Sequence, residues 1–200
     1  IQIIYSIIIL TRNILYNLNI LKSYNSKALI ISVGNIKVGG TGKTPLTEYL
    51  IQLFDNKKIA VLSRGYKRKT RGFILVNQTH SSMDVGDENR QLYNKFKSVI
   101  IACDNNRVHG VKELLRLDAN IEVIILDDAY QHRSIYRDID ILLTEYDNLL
   151  INDQLIPIGK LREHRREMKR ANIIIITATI TWIQWWWRRR TTIIIILALN

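Results

Sequence analysis

Short apolar runs, separated by longer mixed segments, set the rhythm of this chain. Runs rich in Ile and Val at 28–33, 59–63, 73–76, 98–103, 123–126, 139–144 and 173–177 read as strands. The stretches at 44–54, 88–97 and 106–117 between them read as helices. That alternation predicts an α/β fold with a mostly parallel sheet covered by helices on both faces. No internal repeat is visible.

The first residues follow a different period. Ile4, Ile7, Ile8, Ile14, Leu15, Leu18 and Leu21 recur at helical spacing, with Arg12, Asn13, Tyr16, Asn17 and Asn19 in much of the remainder. This predicts an amphipathic helix. The uncharged run ends at Arg12 and is too short to cross a bilayer, which needs about 20 apolar residues. It also lacks the basic start and small-residue cleavage site of a signal peptide. Periodicity alone leaves two uses for the apolar face: a membrane surface or the protein's own core.

Composition narrows the partners. The 200 residues suit one domain or slightly more, and 47% hydrophobic content is enough for a core. The net charge of +11 favours a polyanion: nucleic acid, anionic lipid or a phosphorylated substrate. One cysteine, Cys103, excludes an internal disulfide and fits a reducing compartment. The chain starts at Ile1, with methionines only at 83 and 168, so the natural start is expected upstream. Basic residues cluster between Lys57 and Arg71, and again between Lys160 and Arg170. Each cluster reads as a solvated face or an anion site. The end holds Trp182, Trp185, Trp186 and Trp187, then three arginines and an isoleucine run, without turn chemistry. It reads as an aberrant terminus or as a membrane-surface motif.

The chemistry starts at Lys37, Val38, Gly39, Gly40, Thr41, Gly42, Lys43 and Thr44, between a predicted strand and a predicted helix. Glycines let the chain curl so that several N–H groups point at one phosphate, and the helix N-terminus adds positive potential. This is an ATP-binding P-loop. Lys43 is expected on the β- and γ-phosphates and Thr44 on Mg2+. The general pattern has its first glycine where this chain has Lys37, so the loop is a variant. A distal acid for the metal is supplied by Asp127 and Asp128, at the end of an apolar strand where open α/β sheets place ligands. The acidic loop at Asp84, Asp87 and Glu88 has two readings. It offers a base for an acceptor hydroxyl, or it caps the helix that follows.

Ser32-Val33-Gly34-Asn35, the P-loop through Pro45, Ser63-Arg64-Gly65-Tyr66, Val85-Gly86-Asp87-Glu88, Asp127-Asp128 with Gln131-His132, and Pro157 with Gly159, Leu161, Arg162 and Glu163 share one order and spacing. Over roughly residues 5–177 the chain resembles the tetraacyldisaccharide 4'-kinase family, the lipid A 4'-kinases of Gram-negative bacteria, which also lack the first P-loop glycine. The resemblance implies a P-loop NTPase-like fold and transfer of phosphate from ATP, with Mg2+, to the 4'-hydroxyl of tetraacyldisaccharide 1-phosphate, forming lipid IVA. It implies catalytic roles for Asp87 and Asp128, metal roles for Thr44, Asp127 and Glu88, and contacts of Arg64, Gln131, His132 and Arg162 with the acceptor. It also implies a peripheral place on the cytoplasmic face of the inner membrane. The partners are then a lipid disaccharide and an anionic membrane surface, with no nucleic acid.

The chain departs from that family at Asn89, Ala129, Tyr130, Lys160 and His164, where proline, Gly-Phe, Arg and Pro are usual. The Ala129 methyl stands where a backbone is expected to approach closely. The family's second lobe, with a histidine that assists Asp87, has no counterpart in these residues. The organisation expected is a membrane-associating helix at 1–27, a P-loop kinase lobe at 28–178 and a biased tail at 179–200. Two alternatives remain: a nucleotide-binding fragment without catalysis, and a P-loop ATPase acting with nucleic acid, for which no motif is present.

Overall fold

The computed structural model describes residues 2–38, 42–146, 153–180 and 191–198, with backbone alone for 178–180 and 191–198. Gly39, Gly40, Thr41 and the tryptophan run lie outside the described residues. Helix α1 (Gln2–Asn17) leads into β1 (Leu29–Gly34), α2 (Lys43–Leu53), β2 (Ile59–Ser63), β3 (Ile74–Leu75), α3 (Ser82–Val85) and α4 (Asp87–Lys95). Next come β4 (Ile100–Cys103), α5 (Arg107–Leu117), β5 (Val123–Asp127), β6 (Ile139–Glu145), a 3-10 helix (Arg165–Arg170), β7 (Ile173–Ile180) and β8 (Thr191–Ala198).

The strands form one sheet in the order β3-β4-β2-β5-β1-β6-β7-β8. All neighbours are parallel except the edge pairs β3–β4 and β7–β8. Within each strand, alternate residues face opposite layers. Ile31, Val33, Val61 and Ile125 pack with Leu46 and Leu50 of α2 and Leu92 of α4. Ile30, Leu62, Ile124 and Leu126 pack with Val111 and Leu114 of α5. Ile36, Tyr130, Leu142 and Leu161 form a third cluster that seats the segment before the 3-10 helix. The α/β reading and the mostly parallel sheet are therefore observed.

Helix α1 docks by its polar side. Tyr5 Oη donates to the Arg162 carbonyl at 2.9 Å and Arg12 pairs with Glu163 at 2.8 Å. Arg133 donates to the Asn13 carbonyl and to Asn17 Oδ1. On the opposite side Ile3, Ile4, Ile7, Ile8, Ile14 and Leu18 stay exposed. The protein's own core is not what the apolar face covers. No helix among the described residues is long and apolar enough to cross a membrane.

Candidate functional site

The sheet order puts β1 between β5 and β6, and the carboxyl ends of β1, β5, β2 and β4 lie along one edge of the sheet. Strand β1 must end on glycine. A Cβ at Gly34 would lie 2.8 Å from both Cβ and N of Tyr130, too close for any side chain. The tight approach thus falls on Gly34, while the Ala129 methyl is accommodated in the α5-side core. Gly42, at φ 79, turns the chain into α2. Pro45 is tolerated in the first turn of α2, where no intrahelical partner awaits its missing N–H.

Lys43 Nζ lies 3.7 Å from Asp128 Oδ1, and Arg162 Nη1 lies 3.0 Å from Asp128 Oδ2. Burial pushes the Asp128 carboxyl up, but Lys43 and Arg162 outweigh it and hold it below the usual carboxylate range. Its neighbour behaves oppositely. Asp127 is buried, and burial, with Glu88 and Asp128 nearby, raises its pKa to about 7 against the pull of Lys43 and Arg107. Asp127 Oδ1 has no hydrogen-bond partner among the described residues. Two adjacent carboxylates at one strand end are thus shifted in opposite directions.

Two loops border this pair. Ser63 Oγ donates to Asn89 Oδ1 at 2.8 Å and accepts from the Gly65 N–H at 3.0 Å, while Asn89 Nδ2 donates to the Val85 carbonyl at 2.7 Å. Gly65 and Gly86, at φ 73 and 89, abut so closely that a Cβ on Gly86 would meet Gly65 C at 3.2 Å. Arg64 and Asp87 are both exposed beside this junction. Asp87 and Glu88 form the first turn of α4, whose N-cap Gly86 offers no side-chain cap. Capping in this region belongs to Asp84, which closes a capping box with Ser81 on α3.

The remaining expected residues are divided. Lys37 is buried and pairs with Asp153 at 2.8 Å, so its ammonium is committed there. Val38 donates its N–H to the Lys160 carbonyl at 2.8 Å. Gln131 donates to the Asn35 carbonyl at 2.7 Å, bracing the chain as it enters the P-loop. His132 is held neutral: burial, then Arg107, pushes its pKa down to about 4 despite Asp128. Thr44 sits in the first turn of α2.

Three residues were missed as site residues. Arg107 is fully buried, donates to the Asp127 carbonyl at 3.0 Å, and is pushed down to about 10 by burial. A lone arginine at the start of a predicted helix carries no sequence signal for this. Asn89 reaches Ser63 and Asp153 reaches Lys37 across many residues, and Asp153 Oδ1 also accepts the Lys160 N–H. Among the described residues no three His, Cys, Asp or Glu side chains group as a metal cage. Magnesium beside a nucleotide asks for less, one or two carboxylates with phosphate oxygens and water. The unpartnered Oδ1 of Asp127 and the repulsion among Glu88, Asp127 and Asp128 fit such an ion.

Known proteins place this arrangement. Residues 1–191 match the family described as LpxK, tetraacyldisaccharide-1-P 4'-kinase. The tetraacyldisaccharide 4'-kinase of Flavobacterium psychrophilum is 51% identical over 176 residues, covering 88% of this chain and 51% of that protein. The Bacteroides thetaiotaomicron enzyme of the same name is 47% identical over 176 residues, covering 87% and 46%. A crystal structure of LpxK from Aquifex aeolicus in complex with ATP superposes with a TM-score of 0.81 at 37% identity, covering 88% of this chain and 56% of that one. The chain spans about half the length of the curated relatives it matches. By its sequence, its sheet and its P-loop, the chain belongs to the tetraacyldisaccharide-1-P 4'-kinase family.

Proposed function

We propose that this chain supplies the ATP-binding half of a kinase that phosphorylates the 4'-hydroxyl of tetraacyldisaccharide 1-phosphate, forming lipid IVA. The observation that carries the reading is the cluster of Lys43, Asp128 and Arg162 at the mouth of the P-loop. An ATP complex of a relative with the same fold supports it. Lys43 would move from Asp128 to the β- and γ-phosphates, because a triphosphate offers more negative charge than one carboxylate. Thr44, Asp127 and Glu88 would hold Mg2+, which neutralises phosphate charge as transfer proceeds.

Asp87, exposed on the first turn of α4, would accept the proton of the acceptor hydroxyl, with a histidine from the other half of the protein orienting it. Arg64 and Arg162 would offer cations to the anionic acceptor. Gln131 and neutral His132 would act beside them.

The exposed isoleucine face of α1 fits the surface of an anionic bilayer, and the charge nearby supports that occupant. Arg165, Arg166 and Lys169 are exposed on the segment against which α1 docks, Arg166 also pairing with Glu167, and Arg170 pairs with Glu163 and Glu167. Peripheral binding at the cytoplasmic face of the inner membrane follows, with lipid and not nucleic acid as the polyanion.

A transfer assay with radiolabelled ATP and the lipid acceptor tests the reading. In the full-length protein Asp87→Asn is expected to slow transfer by about 10²–10⁴-fold and leave ATP affinity unchanged. Unaltered transfer by that variant would sink the role of Asp87. The second reading, nucleotide binding without transfer, is favoured if ATP binds yet no product forms even when the other half of the protein is supplied.

A further inference from the structure

Arg162 touches three things at once. Its carbonyl accepts the Tyr5 hydroxyl of α1 at 2.9 Å, its N–H donates to Ile36 at the base of the P-loop at 2.7 Å, and its guanidinium holds Asp128. The residues around it repeat the pattern. Lys37 and Leu161 form an antiparallel bridge, Val38 donates to Lys160, and Lys37 pairs with Asp153. On the other side Glu163, fully buried, is shared by Arg12 of α1 and Arg170. The strap at 153–163 is therefore gripped both by α1 and by the chain entering the P-loop.

Helix α1 is weakly anchored. Of its residues only Asn13 is buried, and an isolated helix of this length is marginal in water. Its docked state rests on a few polar contacts, so local opening of α1 is expected to be frequent and to loosen the strap with it. Partition of the isoleucine face into a bilayer holds α1 helical, the form that its contacts with the strap require. A bound surface and an ordered strap then favour each other, and the coupling is reciprocal.

We infer that Tyr5 and Arg12 are positioning residues through which seating α1 on an anionic bilayer tightens the nucleotide site by way of Arg162. This rests on the membrane and nucleotide readings proposed above. Neither residue touches ATP. Tyr5 and Arg12 face the strap, opposite the isoleucines, so replacing them leaves the membrane face intact.

The experiment compares the chain with Tyr5→Phe, Arg12→Ala and Arg12→Lys, with and without vesicles of phosphatidylethanolamine and phosphatidylglycerol. Flotation measures binding, amide hydrogen exchange measures opening at Val38 and Arg162, and calorimetry measures ATP affinity. Vesicles are expected to slow exchange at both amides by about fivefold or more in the unaltered chain and to tighten ATP similarly. Tyr5→Phe and Arg12→Ala should still float yet lose the slowing, and Arg12→Lys should recover part of it. Bound vesicles with no slowing, or equal slowing in all variants, would overturn the inference and leave the membrane reading standing. A chain that does not float at all overturns both. Because exchange is read without nucleotide, failure to bind ATP sinks the nucleotide reading separately.

Discussion

The Ser63 hydroxyl donates to Asn89 Oδ1 at 2.8 Å, and through that bond the loop carrying Arg64 is tied to the helix carrying Asp87. Both partners are buried, and Asn89 also satisfies the Val85 carbonyl. The junction is held by a side-chain amide. Asn89→Ala is expected to cost about 1–3 kcal/mol, since it leaves the Ser63 hydroxyl and the Val85 carbonyl without their partner. Urea unfolding measures this. A change within 0.5 kcal/mol, the range of an ordinary surface substitution of about that size, would mean that water replaces the amide.

Lys43 is expected to dominate nucleotide affinity. Hydrogen bonds to charged groups contribute about 1.5–3 kcal/mol each, so Lys43→Ala should weaken ATP binding by roughly ten- to a hundredfold. Asp128 would keep Arg162 as its counter-charge, and the fold should survive. Calorimetry giving equal affinity for both proteins would remove the P-loop reading.

Asp127 makes a signed prediction about pH. Its folded pKa of about 7 lies above the ordinary carboxylate value of 3.8, so between those values the folded chain keeps a proton that the unfolded chain has lost. The stabilisation is therefore complete near pH 4 and is lost as pH rises to about 7. In chelator-treated protein, the unaltered chain should lose stability relative to Asp127→Asn across that window, by at most about 4 kcal/mol. His132, pushed down to about 4, contributes in the opposite direction, and it cancels when the two proteins are subtracted. Urea midpoints at pH 5 and pH 8 measure the difference. A difference independent of pH would show that Asp127 is ionised throughout.

Ile7 and Ile8 are 56% and 60% exposed, so charging them should leave folding untouched. Ile7→Asp with Ile8→Asp is expected to abolish flotation with anionic vesicles while urea stability stays within about 0.5 kcal/mol. Salt should release part of the unaltered chain, because basic residues near such a surface contribute about 1 kcal/mol each and are screened. Loss of stability in place of binding would assign the face to an intramolecular partner.

Much of this protein is local in origin. Short Ile- and Val-rich runs marked every strand of the sheet except β8, and the stretches between them, with the helical spacing at the start, marked every long helix. Gly42-Lys43-Thr44 announced a phosphate site because glycine and a helix start must adjoin in the chain for that chemistry. Asp127 and Asp128 were legible as a pair at a strand end. The opposite shifts of their pKa values were not, because those depend on Lys43, Arg162, Glu88 and Arg107, which come from four other places in the chain. Helix α1 was readable as amphipathic, yet its pattern could not say which face docks. That was decided by Arg162 and Glu163, some 150 residues away, which offer a carbonyl and a buried carboxylate to Tyr5 and Arg12. The pairing of Lys37 with Asp153 escaped for a similar reason. Periodicity records what one element wants to bury, whereas burial, charge and hydrogen-bond partners are set by whichever distant segments the fold brings against it.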